Sequence, residues 1–213
     1  MQQDPELLRT IAKEPVKTTT VAAKFQAEIV RKSLHLLIAL VPVLASINLT
    51  STLLLLAAGV IFYALAETSR LQGNRILLVS DITLIVSRER DRGGFVLGPV
   101  TLGLGAMLSL LLYPLPAASI AILALAFGDS FASLVGTLVR GPRIPFLGGK
   151  TVSGCLACFG AVFVVTLRIT MDPMDALLVA LAATFLEAIP LGDFDNILIP
   201  VGVGLLASGA ILR

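Results

Sequence analysis

Long apolar segments joined by short polar connections are the feature that most constrains how this chain of 213 residues can fold. A helix needs about 20 apolar residues, within a range of roughly 17–25, to cross the hydrocarbon core of a bilayer. Helices are expected because backbone groups in hydrocarbon must pair internally, and because the sequence lacks the alternation of a membrane barrel. Seven segments are candidates, covering residues 33–47, 49–66, 95–113, 115–139, 151–169, 174–191 and 197–212.

Composition excludes several other classes of protein. Hydrophobic residues make up 56% of the chain and charged residues only 14%, against roughly 25% charged residues in an ordinary soluble domain. A soluble domain of this size could not cover so much apolar surface, and the net charge of +2 does not suit a nucleic-acid binder. We predict an all-α, polytopic integral membrane protein. We expect a cytoplasmic N-terminal arm, residues 1–27, and a single transmembrane domain, residues 28–213; the oligomeric state stays open.

Residues 74–89 differ from the seven apolar segments. Their apolar residues are interrupted by Asp81 and flanked by charges, which makes the segment too polar to span a bilayer readily. We interpret it as an interfacial amphipathic helix, with a re-entrant or spanning segment as the alternative.

The basic residues indicate the orientation in the membrane, since cytoplasmic loops carry an excess of Lys and Arg. If the N-terminus is cytoplasmic and all seven segments span, only Arg168 and Arg213 of the sixteen Lys and Arg residues fall outside. Ionisable residues in or beside the helices also fall toward the inner side, namely His35, Glu67, Arg70, Asp129, Glu187 and Asp195. Charges at membrane depth are costly and tend to mark a function. We therefore expect a cytoplasmic site for an anionic ligand and its metal, rather than structural ion pairs alone.

The most informative stretch covers residues 126–154. Within it, Asp129 follows Gly128 inside an apolar helix. Small residues at helical spacing share the face of this carboxylate, namely Ala132, Ser133 and Gly136. Small residues allow another helix or a phosphate group to come close.

The loop after this helix combines cations with glycines. The cations are Arg140, Arg143 and Lys150, and the glycines are Gly141, Gly148 and Gly149. Glycines leave backbone N–H groups able to face a phosphate, and the cations neutralise it. Thr151 and Ser153 can cap the fifth predicted helix, whose N-terminus also favours an anion. A glycine turn with a positive-inside anchor is the alternative, and Ile144, where a Walker A loop requires Gly, excludes that motif.

A second carboxylate element follows the sixth segment. Glu187, Asp193, Asp195 and Asn196 could hold Mg²⁺, which binds a few carboxylates together with nucleotide phosphates. The alternative is a polar turn in which Asp195 is a helix N-cap.

The remaining reactive side chains are less specific. His35 could be a base, a ligand or a headgroup contact, and a capped interfacial histidine fits equally well. Cys155 and Cys158 share a face of one apolar segment, where core packing is favoured over a zinc site.

The chain contains four short motifs whose order and spacing match those of a known family. They are EIVRKSLH at 28–35, FGDSFASLVG at 127–136, GGKTVSG at 148–154, and Glu187 followed by DNILIP at 195–200. Together they resemble the polyprenol kinase family, which covers dolichol kinase, phytol and farnesol kinases and the CTP-dependent diacylglycerol kinase, and which is related to the membrane cytidylyltransferases. The resemblance spans most of the chain from residue 28 onward. Ser153 departs from it, because family members commonly have an acidic residue there.

The resemblance implies transfer of the γ-phosphate of CTP to the hydroxyl of a membrane lipid alcohol, either an isoprenoid alcohol (phytol, farnesol or a polyprenol) or diacylglycerol. On this hypothesis Mg²⁺ would be held by Asp129, Glu187, Asp195 and Asn196. The nucleotide and its phosphates would be bound by Arg31, Lys32, Gly128, Gly136, Arg143, Gly149, Lys150, Thr151 and Gly154. Asp129 by preference, or His35, would take the proton of the lipid hydroxyl, and Lys150 would complete the catalytic set.

Two other functions stay open. A cytidylyltransferase would join CTP to a phosphorylated lipid and release pyrophosphate, but such enzymes usually carry further aspartates after Gly-Asp, and residues 130–136 contain none. This favours the kinase. A small ion-coupled transporter would show internally repeated halves, which the sequence does not display.

Overall fold

The computed structural model describes residues 21–211 except 75, 77, 78, 88–90, 92, 140, 146 and 147. Within these residues the protein is helical and forms no strand, which confirms the all-α prediction. The helices are α1 (Val21–Leu37), α2 (Val41–Ile47), α3 (Leu49–Leu71), α4 (Val79–Val86), α5 (Gly98–Leu112), α6 (Leu115–Leu123), α7 (Ser130–Leu138), α8 (Val152–Thr170), α9 (Pro173–Ala188) and α10 (Asp195–Ile211).

Among the described residues, each of the seven predicted apolar segments contains a helix. By length and composition, four described helical stretches could cross a membrane: Phe25–Ile47, Leu49–Leu71, Leu115–Leu138 and Val152–Thr170. The helices α5, α9 and α10 are shorter, with 15, 16 and 17 residues respectively. The chain is thus a candidate membrane protein with at least four apolar helices of spanning length.

The start of the first helix differs from the prediction. Helix α1 is already formed at Val21, so the predicted boundary between residues 27 and 28 lies inside it, and residues 1–20 are outside the described part of the chain. A single 3₁₀ turn, Ile38–Leu40, joins α1 to α2. Charged residues of the EIVRKSLH motif therefore lie on the same helical rod as the apolar span.

The segment expected to form an interfacial helix contains α4, whose eight residues pack against α1 and α3. Its N-terminus is fixed by Ser80, whose hydroxyl accepts a hydrogen bond of 3.1 Å from the N–H of Ile76. Residues 75, 77, 78, 88 and 89 of the predicted segment lie outside the described residues. The helix thus begins at Val79, and its placement at a membrane interface stays a prediction.

The span Leu115–Leu138 lies at the centre of the bundle. It packs against α8 and α10 through small and branched residues that are fully buried, including Ala117, Ile120, Ala121, Leu125, Val162 and Val203. The other three long spans expose most of their apolar surface. Small residues at the contacts let the helices approach closely. This central span therefore determines where the surrounding helices place their polar residues.

A π-helical turn, Ala124–Asp129, interrupts the central span. It contacts α1, α8, α9 and α10. Turns of this type inside α-helices are frequent at functional sites because they re-aim the side chains that follow. Here the turn ends on Asp129, the carboxylate of the FGDSFASLVG motif.

The close contact between α5 and α10 can be tested by a substitution at Gly105. Pro200 has no N–H, so the carbonyl of Asn196 lacks its helical partner, and a methyl group on Gly105 would lie only 2.0 Å from that oxygen. Gly105→Ala should lower the free energy of unfolding by about 1–3 kcal/mol, as expected for overpacking. Gly160→Ala is the matched control, since a methyl group there meets nothing within 4 Å. Thermal unfolding in detergent measures both variants, and equal melting temperatures for the two would contradict this packing.

Candidate functional site

One end of the bundle gathers the polar side chains. The C-terminal half of α1 and the N-terminal parts of α5, α8 and α10 meet the C-terminal parts of α3 and α9 and one face of α7 at this end. Hydrogen bonds and ion pairs between distant residues tie this end together, as for Glu67 with Val96, Lys32 with Asp129, and Lys150 with Glu187. Two adjoining cavities lie at this end, and both are lined by Gly192 and Asp195.

The first, which we name the apolar cavity, has a volume of about 260 Å³. Helices α1, α3, α4 and α5 and the segment before α5 supply its apolar wall, which consists of Leu34, Tyr63, Val79, Ile82, Val96, Pro99 and Leu102. Charged and polar groups also line this cavity, among them Arg31, Lys32, His35, Asp129 and Asn196. Exposed apolar residues lie near it on α1 and α4, including Leu37, Leu84 and Ile85. The cavity therefore joins a lipid-compatible surface to a polar centre.

The polar centre of the apolar cavity is a buried triad of Lys32, His35 and Asp129. The ammonium of Lys32 donates to Asp129 Oδ2, and both side chains are less than a tenth exposed. His35 Nδ1 lies 3.0 Å from the same oxygen, without a well-aligned hydrogen bond. Lys32 and His35 are three residues apart on α1 and so share a face. Burial of a charge this deep requires a partner, which Lys32 and Asp129 provide for each other.

The second, which we name the polar cavity, has a volume of about 800 Å³. Its walls are one face of α7, the N-terminus of α8, the end of α9 and the loop between α7 and α8. The lining includes Glu28, Ser133, Gly136, Arg143, Gly149, Lys150, Thr151, Gly154 and Glu187. Its volume lies within the roughly 300–1,000 Å³ that small-molecule sites occupy.

The described parts of the loop between α7 and α8, residues 141–145 and 148–151, bring cations to the polar cavity. The N–H of Ile144 donates to the Lys150 carbonyl over 2.8 Å, and the N–H of Val152 donates to the Pro142 carbonyl over 3.1 Å. Gly148 and Gly149 have φ of +59° and +89°, which favours glycine. The loop thus holds Lys150 next to the N-terminus of α8.

Thr151 caps α8 as predicted. Its hydroxyl accepts a hydrogen bond of 3.1 Å from the N–H of Gly154, and Ser153 Oγ lies 3.1 Å from the same hydroxyl. The N–H groups of Val152 and Cys155 are also bonded, to the carbonyls of Pro142 and Thr151. An anion at this helix end would therefore be favoured mainly by the helix dipole.

Lys150 pairs with Glu187 across the polar cavity. The ammonium donates to Glu187 Oε1, the Lys150 side chain is 28% exposed, and the Glu187 side chain is 2% exposed. Burial opposes the charge on Lys150, but attraction to Glu187 outweighs it and raises the pKa of Lys150 above its usual value. The ammonium therefore stays charged at neutral pH. The other carboxylate oxygen, Glu187 Oε2, is buried and has no hydrogen-bond partner among the described residues.

The predicted site residues are therefore divided between two cavities. The apolar cavity receives Arg31, Lys32, His35, Asp129 and Asn196. The polar cavity receives Gly136, Arg143, Gly149, Lys150, Thr151, Glu187 and Gly154. Asp195 lines both. The sequence predicted a single site for all of these residues. The structure places Lys32 in the apolar cavity instead of the polar cavity.

Three of the predicted phosphate-binding glycines serve helix packing. A methyl group on Gly128 would lie 3.0 Å from Val162 Cγ2, so this residue faces α8. A methyl group on Gly136 or Gly154 would lie 2.7 Å from Thr151 Oγ1 or the Ala132 carbonyl, respectively. Gly136 and Gly154 thus bring α7 and α8 into contact while they line the polar cavity.

The predicted metal ligands do not form one cluster. Among the described residues, no group of three or more His, Cys, Asp and Glu side chains is arranged to hold a metal ion. Asp129 is paired with Lys32, and the Asn196 amide donates to Thr101 Oγ1 over 3.0 Å. Glu187 Oε2 and Asp195 nevertheless fit Mg²⁺, which is commonly bound by one or two carboxylates plus substrate phosphates. The orphaned oxygen of Glu187 is the observation that supports this fit.

Glu67 and Arg70, which the sequence placed on the inner side without a role, form a network beside the apolar cavity. Glu67 accepts two hydrogen bonds of 2.7 Å from Arg70 and one of 2.9 Å from the N–H of Val96. Tyr63 donates its hydroxyl to the Val96 carbonyl over 3.1 Å. The network fixes the segment before α5, which lines the apolar cavity. Thr83 and Asp91, also lining residues, carry no sequence motif that would have identified them.

The two cysteines occupy different surroundings. Cys158 is buried in the core, which agrees with its predicted packing role, and Cys155 lines the polar cavity. Both are free thiols.

Comparison of the chain with protein-family models, with curated proteins and with solved structures found no match. The geometry of the two cavities therefore carries the functional argument, together with the motif resemblance described above.

Proposed function

We propose that the protein is a membrane lipid-alcohol kinase that transfers the γ-phosphate of CTP to the hydroxyl of an isoprenoid alcohol or diacylglycerol. The observation that carries the proposal is the adjacency of a polar cavity with cations and a mainly apolar cavity, which share Gly192 and Asp195. A kinase acting on a lipid must bring a water-soluble phosphate donor and a lipid hydroxyl together at one point. Adjoining cavities of opposite character meet that requirement.

The polar cavity would hold the nucleotide. Lys150 and Arg143 lie on its loop wall, where their charges can neutralise phosphates. The N-terminus of α8, capped by Thr151, adds backbone dipoles that favour an anion. The preference for CTP over other nucleotides comes from the motif resemblance.

The apolar cavity would hold the lipid, with its hydroxyl beside the triad. Asp129 is already engaged in an ion pair with Lys32. His35 lies 3.0 Å from Asp129 through Nδ1, which leaves its other ring nitrogen to accept a proton. We therefore assign proton removal to His35, and we assign Asp129 to orienting His35 and Lys32.

Phosphoryl transfer depends mainly on positioning and charge neutralisation. Asp195, on the wall shared by both cavities, and Glu187 would hold Mg²⁺. When bound, Mg²⁺ would neutralise charge on the transferred phosphate. Arg143 and Lys150 would bind the phosphates on the loop side, and the apolar wall of the first cavity would keep water from the lipid hydroxyl.

The finer membrane arrangement is part of the proposal. We infer seven spans, with the site on the cytoplasmic side and the N-terminus inside. In support, turns of one or two residues join α2 to α3, α5 to α6 and α8 to α9, and the described basic residues of the site lie at one end of the bundle. Arg168, in the last turn of α8, lies toward the opposite end.

The proposal is tested by measuring CTP-dependent phosphorylation of a panel of lipid alcohols by the purified protein, with ATP as the control nucleotide. The panel contains farnesol, phytol, a longer polyprenol and dioleoylglycerol. We expect a phosphorylated lipid that depends on CTP and Mg²⁺. Lys150→Ala should raise the KM for CTP about tenfold or more, since a charge-assisted contact is worth about 1.5–3 kcal/mol. An unchanged KM would remove Lys150 from the phosphate site, and no product with any alcohol would refute the kinase.

A further inference from the structure

The Lys150–Glu187 pair occupies the position where the proposed nucleotide and its cation would both bind. The Lys150 ammonium satisfies Glu187 Oε1, while Oε2 is buried with no hydrogen-bond partner among the described residues. The partners differ in exposure, because Lys150 is 28% exposed and Glu187 is 2% exposed. One member is thus accessible from the cavity, whereas the other is a buried anion that depends on it.

Lys150 lies in a part of the loop where its side chain is not tightly enclosed. The side chain is partly exposed, and Gly149, immediately before it, has a positive φ and a position where a methyl group would meet nothing within 4 Å. Lys150 itself is a flexible, four-carbon cation. A phosphate chain in the polar cavity, which Arg143 also lines, would compete with Glu187 for the ammonium.

Removing the ammonium would leave Glu187 as an unpaired buried charge, which is strongly unfavourable. A polyphosphate without a cation must therefore overcome the attraction between Lys150 and Glu187. A cation without a polyphosphate must displace Lys150 from the carboxylate. Either ligand alone must break the ion pair between Lys150 and Glu187 and leave one of the two charges without a partner. When both ligands bind, each charge gains a new partner.

We propose that Lys150 is an internal stand-in for the metal ion at Glu187, and that a polyphosphate and a divalent cation bind together by exchanging partners with this pair. Lys150 moves to the phosphates and the cation takes its place on Glu187. The inference rests on the proposed function for the identity of the nucleotide. The exchange itself concerns any polyphosphate that enters the polar cavity.

The test is binding of two metal-free anions, CTP and inorganic tripolyphosphate, to the purified full chain in EDTA. Glu187→Gln releases Lys150, so we expect both anions to bind at least tenfold more tightly than to the wild type. A residue that only ligated the metal would leave metal-free binding unchanged. The complementary variant, Lys150→Met, should bind Mn²⁺ in the absence of nucleotide at least tenfold more tightly, as measured by electron paramagnetic resonance.

Asp175→Asn is the matched control. Asp175 lies in the first turn of the helix that carries Glu187 and lines neither cavity, so we expect metal-free anion affinity within threefold of the wild type. Unchanged metal-free affinity in Glu187→Gln would overturn the exchange, as would unchanged Mn²⁺ affinity in Lys150→Met. Tighter tripolyphosphate binding without lipid phosphorylation in the panel assay would support the exchange and refute the kinase.

Discussion

Replacing Asp129 with Asn is expected to reduce lipid phosphorylation by at least a thousandfold and to lower the melting temperature. Both effects follow from the position of Asp129 at the end of the π-helical turn, where it contacts Lys32 and His35. Loss of the carboxylate would leave His35 without the group that orients it. It would also leave Lys32, which is 2% exposed, as a buried cation without its partner.

The loss of stability can be separated from the loss of activity. Breaking a buried ion pair by removing one partner costs about 3–5 kcal/mol, whereas replacing both partners by neutral groups is often tolerated. The double variant Lys32→Met with Asp129→Asn should therefore recover most of the melting temperature and none of the activity. Turnover is measured with the lipid alcohol that the panel identifies. An Asp129→Asn protein with wild-type turnover would contradict the assignment of the triad.

Replacing His35 with Gln is expected to lower kcat about 10²–10⁴-fold, the usual contribution of a general base. Gln keeps the size and a hydrogen-bonding group, but it cannot accept the proton of the lipid hydroxyl. Because His35 lines the apolar cavity, the KM for CTP should stay within about twofold. A merely structural histidine would instead lower the melting temperature and leave the turnover of the folded fraction unchanged.

Added imidazole provides the control for His35. A small base that diffuses into the cavity left by His35→Ala should restore part of the activity, with a rate that rises with imidazole concentration. Imidazole should have no effect on Asp129→Asn, where the base is present and its orientation is lost. If His35→Gln retained turnover within fivefold of the wild type, proton removal would have to be assigned to another group.

Hydrophobic patterning predicted most of the helical framework, because a bilayer demands long apolar helices and short polar turns. The segments 49–66, 115–139 and 151–169 are contained within or nearly match helical stretches of the structure. The cap at Thr151 was also predictable, because capping depends on residues close in sequence. Hydrophobic runs and helix caps depend on residues close together in the chain, so a single sequence is enough to predict them.

The π-helical turn could not be predicted. The residues around Ala124 are uniformly apolar, and nothing in that pattern distinguishes a π turn from an α-helix. Its consequence is large, because it determines where Asp129 points.

The pairings within the site were equally hidden. Lys32 and Asp129 are separated by 97 residues, and Lys150 and Glu187 by 37. Sequence placed all four residues toward the same side of the membrane. The partner of each one depends on how α1, α8 and α9 pack against the central span, which periodicity does not encode. The division of the site into an apolar and a polar cavity follows from the same packing.

The most direct test of the central claim is to follow which phosphate of CTP reaches the lipid. The purified protein is supplied with a lipid alcohol and with CTP labelled either on the γ-phosphate or on the α-phosphate. The kinase predicts that only the γ label enters the lipid, with CDP as the second product. Incorporation of the α label into a phosphorylated lipid, with release of pyrophosphate, would identify a cytidylyltransferase and contradict the account.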